Sequence, residues 1–341
     1  MVEPNEIITS DAKEICEKID FSEIKNKSIL ITGASGLIGA YFQACFKQLS
    51  ETNKCEFKVS AIIHNEPPSF LKKLLDYDGL SIIQGDITDL KFCKGLPKAD
   101  YIIHLAGYGQ PGRFLKDPIK TMQINTSVTF LLFEKLNPNG KFLFASTSEV
   151  YSGLSKTPNN EFEIGNTNTT HPRACYIEAK RCGEAICNTY RGKGVNAKSA
   201  RLALAYGPGT REGDTRVMNV FIRKALNGEP INLLDQGKVK RTYCYVADTV
   251  EILWDILLYG KDPVYNVGGI SRITIGDLAL KIGNYLNVPV VFPDKSNELV
   301  GAPDDVYLDM TKVKNEFNKT DFIPIDDGLS RTIEWQKLRF D

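Results

Sequence analysis

Tyr176 and Lys180, in "ACYIEAKRCGEAIC", stand four residues apart at the start of a stretch with helical periodicity, so one helix face presents both. A tyrosine must lose its proton to act as a base near neutral pH, and an ammonium one helical turn away favours the phenolate. As spacing alone, the pair is equally an ordinary surface contact. Upstream, "FASTSEVY" puts Thr147, Ser148 and Glu149 at the carboxyl end of a predicted strand, the side of an open α/β sheet where ligands bind. There a hydroxyl and a carboxylate would face Tyr176, unless Glu149 merely ends its strand in solvent. A third stretch, "ITGASGLIGA", sets Gly33, Gly36 and Gly39 at spacing three, after a predicted strand and opening a predicted helix. In a dinucleotide fingerprint the first glycine makes the turn, the second lets backbone N–H groups reach a pyrophosphate, and the third lets helix and strand pack closely. The alternative is a tight turn with no ligand.

The elements that must position these residues set the fold class. Short β-branched runs at 28–33, 58–64, 81–86, 101–107, 141–147 and 197–204 alternate with longer helical stretches. Continuous apolar strands separated by helices predict an α/β fold, a doubly wound parallel sheet covered on both faces. Residues 1–27 read as an N-terminal helical extension, "SDAKEICEKI", with Ser10 or Asp11 as N-cap. The sheet domain is placed at 28–205. A second, smaller α/β substrate-binding lobe is placed at 206–341, with segments of about 240–267 returning to the first. The long polar connection 152–172 has no periodicity and is expected to border the site.

Composition narrows the partners. The chain has 341 residues, 42% of them hydrophobic, and Lys plus Arg equals Asp plus Glu at 42 each. No global field draws it to nucleic acid or an anionic membrane, so an anionic ligand must be held locally. The acidic start lacks a signal-peptide pattern, and no apolar run approaches the roughly 18 residues of a membrane span. This reads as a cytoplasmic protein. Cys16, Cys45, Cys55, Cys93, Cys175, Cys182, Cys187 and Cys244 are scattered, and His64, His104 and His171 are isolated, so no metal-binding spacing is present. Reduced, mostly buried thiols are expected.

"TGASGLIG", "GDITD", "HLAG", "STSEVY" and "YIEAK", with "RLALAYGPG", "RTYCYVADTV" and "YNVGG" beyond them, resemble in order and spacing the extended short-chain dehydrogenase/reductase family that modifies nucleotide sugars. The resemblance runs over essentially the whole chain and implies a Rossmann domain that binds NAD. By that resemblance Gly33, Ser35, Gly36, Leu37, Ile38 and Gly39 hold the cofactor pyrophosphate, and Asp86 and Ile87 lie by the adenine. His104, Leu105, Ala106 and Gly107 line the ribose and nicotinamide side. Thr147, Tyr176 and Lys180 form the catalytic trio, and Lys180 also binds the nicotinamide ribose. Where a ribose-binding acid is expected after the second strand the chain reads "IIHNEPPS", which makes Asn65 the hydrogen-bonding candidate; no arginine follows for a 2′-phosphate.

The resemblance implies oxidation at the sugar C4, with Tyr176 taking the hydroxyl proton while hydride passes to NAD. Dehydratases of the dTDP-glucose type place Asp-Glu after the threonine; here Ser148 precedes Glu149. Epimerases lack that carboxylate. "HPRACYIEAKR" resembles "PRxCYDEGKR" of UDP-glucuronate decarboxylases, with Ile177 and Ala179 in place of Asp and Gly. Further departures are Ala203-Leu204 for Phe-Asn and "GAPDDVYLD" for a basic-Pro-Asp run. Decarboxylation of a UDP-hexuronic acid to UDP-xylose is therefore the first reading, beside a 4,6-dehydratase, a 4-epimerase, a C4 oxidase, and a non-catalytic NAD-binding regulatory subunit. Arg241 matches an arginine that pairs with the nucleotide diphosphate. Ser148, Arg216 and Asn219 are further substrate candidates, and Arg173 either meets a substrate carboxylate or anchors its loop. A homodimer is expected through helices around 113–136 and 174–190, with Leu131, Leu132 and Ile186 as interface or core positions.

Overall fold

The computed structural model describes residues 4–52, 56–294 and 305–340. Cys55 and residues 301–304 of the "GAPDDVYLD" run lie outside them. The strands are β1 (Lys27–Thr32), β2 (Phe57–Ile63), β3 (Leu80–Gln84), β4 (Ala99–His104), β5 (Leu136–Thr147), β6 (Asn196–Leu202) and β7 (Leu204–Tyr206). They continue with β8 (Ile231–Asn232), β9 (Lys240–Tyr245), β10 (Val264–Val267), β11 (Ser271–Thr274), β12 (Val290–Val291) and β13 (Asp305–Val306). The α-helices begin with α1 (Pro4–Lys18), α2 (Leu37–Glu51), α3 (Ser69–Leu74), α4 (Leu90–Gly95), α5 (Pro111–Phe114), α6 (Pro118–Asn125) and α7 (Ser127–Phe133). After these come α8 (Ala174–Arg191), α9 (Val217–Leu226), α10 (Val246–Tyr259), α11 (Ile275–Leu286), α12 (Thr311–Phe317) and α13 (Ile325–Phe340).

Seven strands form one parallel sheet in the order β10-β6-β5-β4-β1-β2-β3, so the order reverses between β1 and β4. At such a switch point the loops diverge and leave a crevice at the carboxyl ends of the strands. Alternate residues of β1 enter opposite cores: Ile29 and Ile31 join one cluster, Leu30 the other. The first core lies under α1, α2 and α10, where the Trp254 ring sits 4.8 Å from Phe42, 5.0 Å from Phe21 and 5.4 Å from Phe46. Burying each such side chain contributes about 2–3 kcal/mol. The second core packs α4, α7 and α8 on the other face, with Phe133 stacked between Phe142 and Tyr190.

Beyond β6 the chain builds a second sheet in which β9 pairs with β7, β11 and β13. The chain then returns: α10 packs on β5 and β6, and β10 closes the edge of the seven-stranded sheet. The return begins at Val246, because Lys240–Tyr245 belongs to the second sheet.

Two expectations give way here. The first helix starts at Pro4, not at Ser10 or Asp11, and neither residue caps it. Ile8, Ala12, Ile15 and Cys16 form its buried stripe, and Asp11 lies on the same face, where its carboxylate accepts from Tyr41, Tyr245 and Arg331. An acidic residue beside an apolar run looks like a cap when its partners are remote in sequence. The connection 152–172 does not line the cavity described below; it binds the sheet, through the Glu161 and Glu163 carbonyls, which accept from Arg201, and through Asn159, whose N–H donates to Tyr307 O and whose carbonyl accepts from Asn266.

Candidate active site

A cavity of about 410 Å³ opens at the carboxyl ends of β1 to β6. Its lining includes Gly33, Ser35, Gly36, Leu37, Ile38 and Gly39 after β1, and Asn65 after β2. Asp86 and Ile87 follow β3, and Leu105, Ala106 and Gly107 follow β4. Thr147, Ser148 and Glu149 end β5, Tyr176 and Lys180 enter from α8, and Arg216 enters from the second sheet's side.

The three glycines differ in what they allow. Gly33 has φ +69°, and a Cβ there would sit 2.8 Å from the Ala106 nitrogen. At Gly39 a Cβ would come within 2.3 Å of the Gly33 carbonyl oxygen. These two bring backbone against backbone. A Cβ at Gly36 would meet only Gly33 O, 3.3 Å away, and otherwise would project toward the cavity. Gly36 is also the N-cap of α2, whose first N–H groups lack carbonyl partners within the helix. This is a cradle for an anionic group, and the glycine turn fits the pyrophosphate of a dinucleotide.

His104 supports this turn from below. It is 1% exposed and does not line the cavity. Its Nε2 donates to Ile124 O at 3.0 Å, its Nδ1 accepts from Thr32 Oγ1 at 2.8 Å, and Thr32 Oγ1 accepts from Ala106 N at 3.1 Å. Burial holds the imidazole neutral, down to about 3. The expectation that it lines the ribose is corrected: strand periodicity points it inward, where it fixes the segment 105–107. Asp86 is committed to Thr88 and to Lys120 at 2.8 Å; against the opposing effect of burial these hold it at about 2.

Tyr176 is 7% exposed, its ring stacked on Phe114 at 4.5 Å and 4°. Burial and the nearby Glu149 carboxylate push the phenol up to about 12, while the Thr147 hydroxyl and Arg173 work the other way. Lys180 is 5% exposed and donates from Nζ to Ala145 O at 2.5 Å. Its Nζ lies 5.9 Å from the Tyr176 ring centroid, and burial pushes it down to about 7. The spacing alone predicts a phenolate favoured by its lysine. In the structure burial works against the charged form of both groups, raising the phenol and lowering the ammonium.

Glu149 forms an ion pair with Arg173, both largely buried. Burial raises its carboxyl above the usual range against the pull of Arg173 and Arg241. Its Oε2 and the Nε of Arg173 are buried without partners among the described residues. Arg173 and Arg241 stand beside the cavity and are not part of its lining. Arg216 pairs with Asp214 at 2.8 Å and donates to Ala205 O. Asn219 is buried under α13, where Gln336 donates to its Oδ1 at 3.1 Å, and it does not reach the cavity.

Several lining or supporting residues escaped the sequence reading. Phe114, stacked on Tyr176, sits in a four-residue helix with no motif. Gln110, Arg211 and Asp214 line the cavity from two loops, and Arg113 from α5. Glu184, four residues after Lys180, accepts from Ser146 and from Nε and Nη2 of Arg201 and anchors α8 to the sheet. The i,i+4 repetition of Tyr176, Lys180 and Glu184 was the available signal.

A parallel sheet with a glycine turn at its first strand end and a Tyr–Lys helix facing the last of the central strands defines an α/β dinucleotide enzyme. Residues 29–268 match the model of the NAD dependent epimerase/dehydratase family, and the chain belongs to that family, whose cofactor is NAD. It is 30% identical over 320 residues to UDP-glucuronic acid decarboxylase 6 of Arabidopsis thaliana, covering 92% of this chain and 90% of the relative. In fold it is similar to an epimerase of Methanothermobacter thermautotrophicus, with TM-score 0.80, 21% identity, and coverage of 99% of this chain and 97% of the other. A UDP-glucuronic acid 4-epimerase of Bacillus cereus has TM-score 0.74 at 23% identity, over 91% and 99% of the two chains.

Proposed function

We propose that the protein oxidises a nucleotide sugar at C4 and that its substrate is UDP-glucuronate, decarboxylated to UDP-xylose. The carrying observation is Glu149: a buried carboxyl beside Tyr176, one oxygen paired to Arg173 and the other unpartnered among the described residues. Similarity to a UDP-glucuronic acid decarboxylase over nine-tenths of both chains supports the choice of substrate.

NAD, held between the glycine turn (Gly33, Ser35, Gly36, Leu37, Ile38, Gly39), Asn65, Asp86, Ile87 and Leu105 to Gly107, supplies the reversible two-electron oxidation of the C4 carbinol. Tyr176 takes the C4 hydroxyl proton, with Thr147 beside it to orient the hydroxyl and Lys180 below to hold the ribose. A C4 ketone makes the C6 carboxylate a β-keto acid; CO₂ leaves, and the electron pair of the C5–C6 bond enters an enolate. C5 must then be protonated, and Glu149 is the group placed to hold that proton, its affinity raised by burial. Tyr176 returns its proton to the C4 oxygen as the ketone is reduced. Arg173, Arg216 and Arg241 are assigned to the anionic sugar nucleotide with Ser148, and residues 206–341 other than the returning segment form its side of the site; Asn219 acts from behind Asp214.

The reading extends to assembly and compartment. Ile119, Met122 and Phe130 are exposed on α6 and α7, and they, not the buried Leu132 and Ile186, are assigned to a homodimer face. The seven free cysteines among the described residues favour the cytoplasm, and no described helix is long and apolar enough to cross a membrane.

Incubating the purified protein with UDP-, GDP-, CDP- and dTDP-sugars and recording mass spectra tests the reaction. Loss of CO₂ from UDP-glucuronate is expected. Loss of water, loss of two hydrogens, or a change visible only by NMR would replace decarboxylation by dehydration, oxidation or epimerisation. Inertness toward every sugar with intact NAD binding would favour a regulatory subunit.

A further inference from the structure

Arg211 comes from the loop after β7, and its side chain reaches the glycine turn across the mouth of the cavity. Nη2 donates to Ser35 O at 3.0 Å and to Ser35 Oγ at 2.7 Å, and Nε donates to Ser35 O at 3.3 Å. Arg113 lines the same cavity from α5. Neither guanidinium has a salt bridge to a carboxylate among the described residues, although Glu212 also lines the rim. Burial and the neighbouring Arg113 both work against the charge of Arg211. Two guanidinium groups thus share one mouth without a salt bridge of their own among the described residues.

The same two loops meet a second time. Gln110 donates to Asp214 Oδ2 at 2.8 Å, and Thr215 donates to Gln110 Oε1 at 3.3 Å. Asp214 is 4% exposed and is held by Arg216. The loop rests on the nucleotide-binding helix: a Cβ at Gly209 would stand 3.5 Å from Leu37 and 3.7 Å from Ile8. It therefore spans from the start of α2 to the loop after β4, over the strand ends where the cavity opens.

We propose that Arg211, secured by the Gln110–Asp214 bridge and assisted by Arg113, is a latch over the cofactor diphosphate that keeps the dinucleotide bound through a whole catalytic cycle. This rests on the assignment of NAD to the glycine turn. A diphosphate there would lie against Ser35, within reach of the forked N–H groups that already address that residue, and charge-assisted contacts of this kind are strong and directional. A reaction that oxidises and then reduces the same sugar carbon needs the reduced cofactor to stay. Slow release serves that requirement, and retention of this kind acts on the dissociation rate.

The test follows release of NADH by fluorescence, chased with excess NAD, together with the NAD content of the purified protein and melting of the cofactor-free form. Arg211→Met is expected to release NADH at least tenfold faster and to copurify with less NAD, with cofactor-free melting unchanged. Gln110→Ala is expected to act in the same direction by a few fold, and it carries the test if Arg211→Met does not fold. Release within twofold of wild type in the folded variants would overturn the latch, as would a fall in cofactor-free melting without faster release, the mark of a structural brace. A wild-type protein that binds no NADH would overturn the cofactor assignment and the latch with it.

Discussion

Burial and the Glu149 carboxylate push the Tyr176 phenol up to about 12, and burial pushes the Lys180 ammonium beside it down to about 7. Removing its proton requires that positive charge be brought near the oxygen, and Tyr176→Phe deletes the oxygen while keeping the ring stacked on Phe114. Turnover is expected to fall at least a hundredfold, about 2.7 kcal/mol of barrier, with NAD affinity within twofold of wild type by fluorescence titration. Glu149→Gln separates the later chemistry: oxidation proceeds, but a keto sugar and reduced cofactor accumulate together, read by mass and by absorbance. Unchanged product formation would reduce Glu149 to a partner that holds Arg173. His104 gives a prediction on stability. Its folded value of about 3 lies below the unfolded 6.5, so the unfolded chain binds more protons on acidification. Stability from this group is complete above 6.5 and is lost progressively toward 3. Between pH 7.5 and 5, wild type should lose about 2 kcal/mol more than His104→Gln in urea melts.

At the scale of elements, strands and their order along the chain were legible because parallel strands buried on both faces are continuous apolar runs. The glycine turn was legible for the same kind of reason, since backbone contact at Gly33 and Gly39 admits no side chain. What the chain concealed is made of contacts between remote elements. Asp11 looked like a helix cap because Tyr245, 234 residues away, is its partner. His104 looked like a ligand contact because nothing local reveals Ile124 above it. Gln110 and Arg211 lie in loops, and Phe114 in a single helical turn, whose side-chain directions no periodicity encodes. The glycine turn also yields a graded prediction. Gly39→Val should fail to fold, with a Cβ 2.3 Å from a carbonyl oxygen, whereas Gly36→Val has only a 3.3 Å contact to relieve. Gly36→Val is expected to fold, by circular dichroism, and to bind NAD at least tenfold more weakly. Full NAD content in that variant would leave the glycines a purely conformational role.

Across the whole molecule, one buried carboxylate joins parts that are distant in sequence. Asp11 on α1 accepts through Oδ2 from Tyr41 of α2 at 2.8 Å and from Tyr245 of β9 at 2.7 Å, and through Oδ1 from Arg331 of α13 at 2.6 Å. The first helix, α2, the second sheet and the last helix therefore meet at a residue 1% exposed. Truncation leaves the buried Tyr41 and Tyr245 phenols with only each other as hydrogen-bond partners, at a cost of about 1–3 kcal/mol. Arg331, whose side chain is 37% exposed, can turn to water and adds little. Asp11→Ala is thus expected to destabilise the protein by about 3 kcal/mol in denaturant unfolding. Asp11→Asn keeps a carbonyl oxygen for both tyrosines and gives up only the contact to Arg331, and its cost should be near 1 kcal/mol. Burial raises the Asp11 carboxyl above its ordinary value despite these partners, so the neutral amide also escapes part of the desolvation that the charge suffers. If the two variants prove equally damaging, the ion pair with Arg331 holds the helix in place, and the paired tyrosines do not.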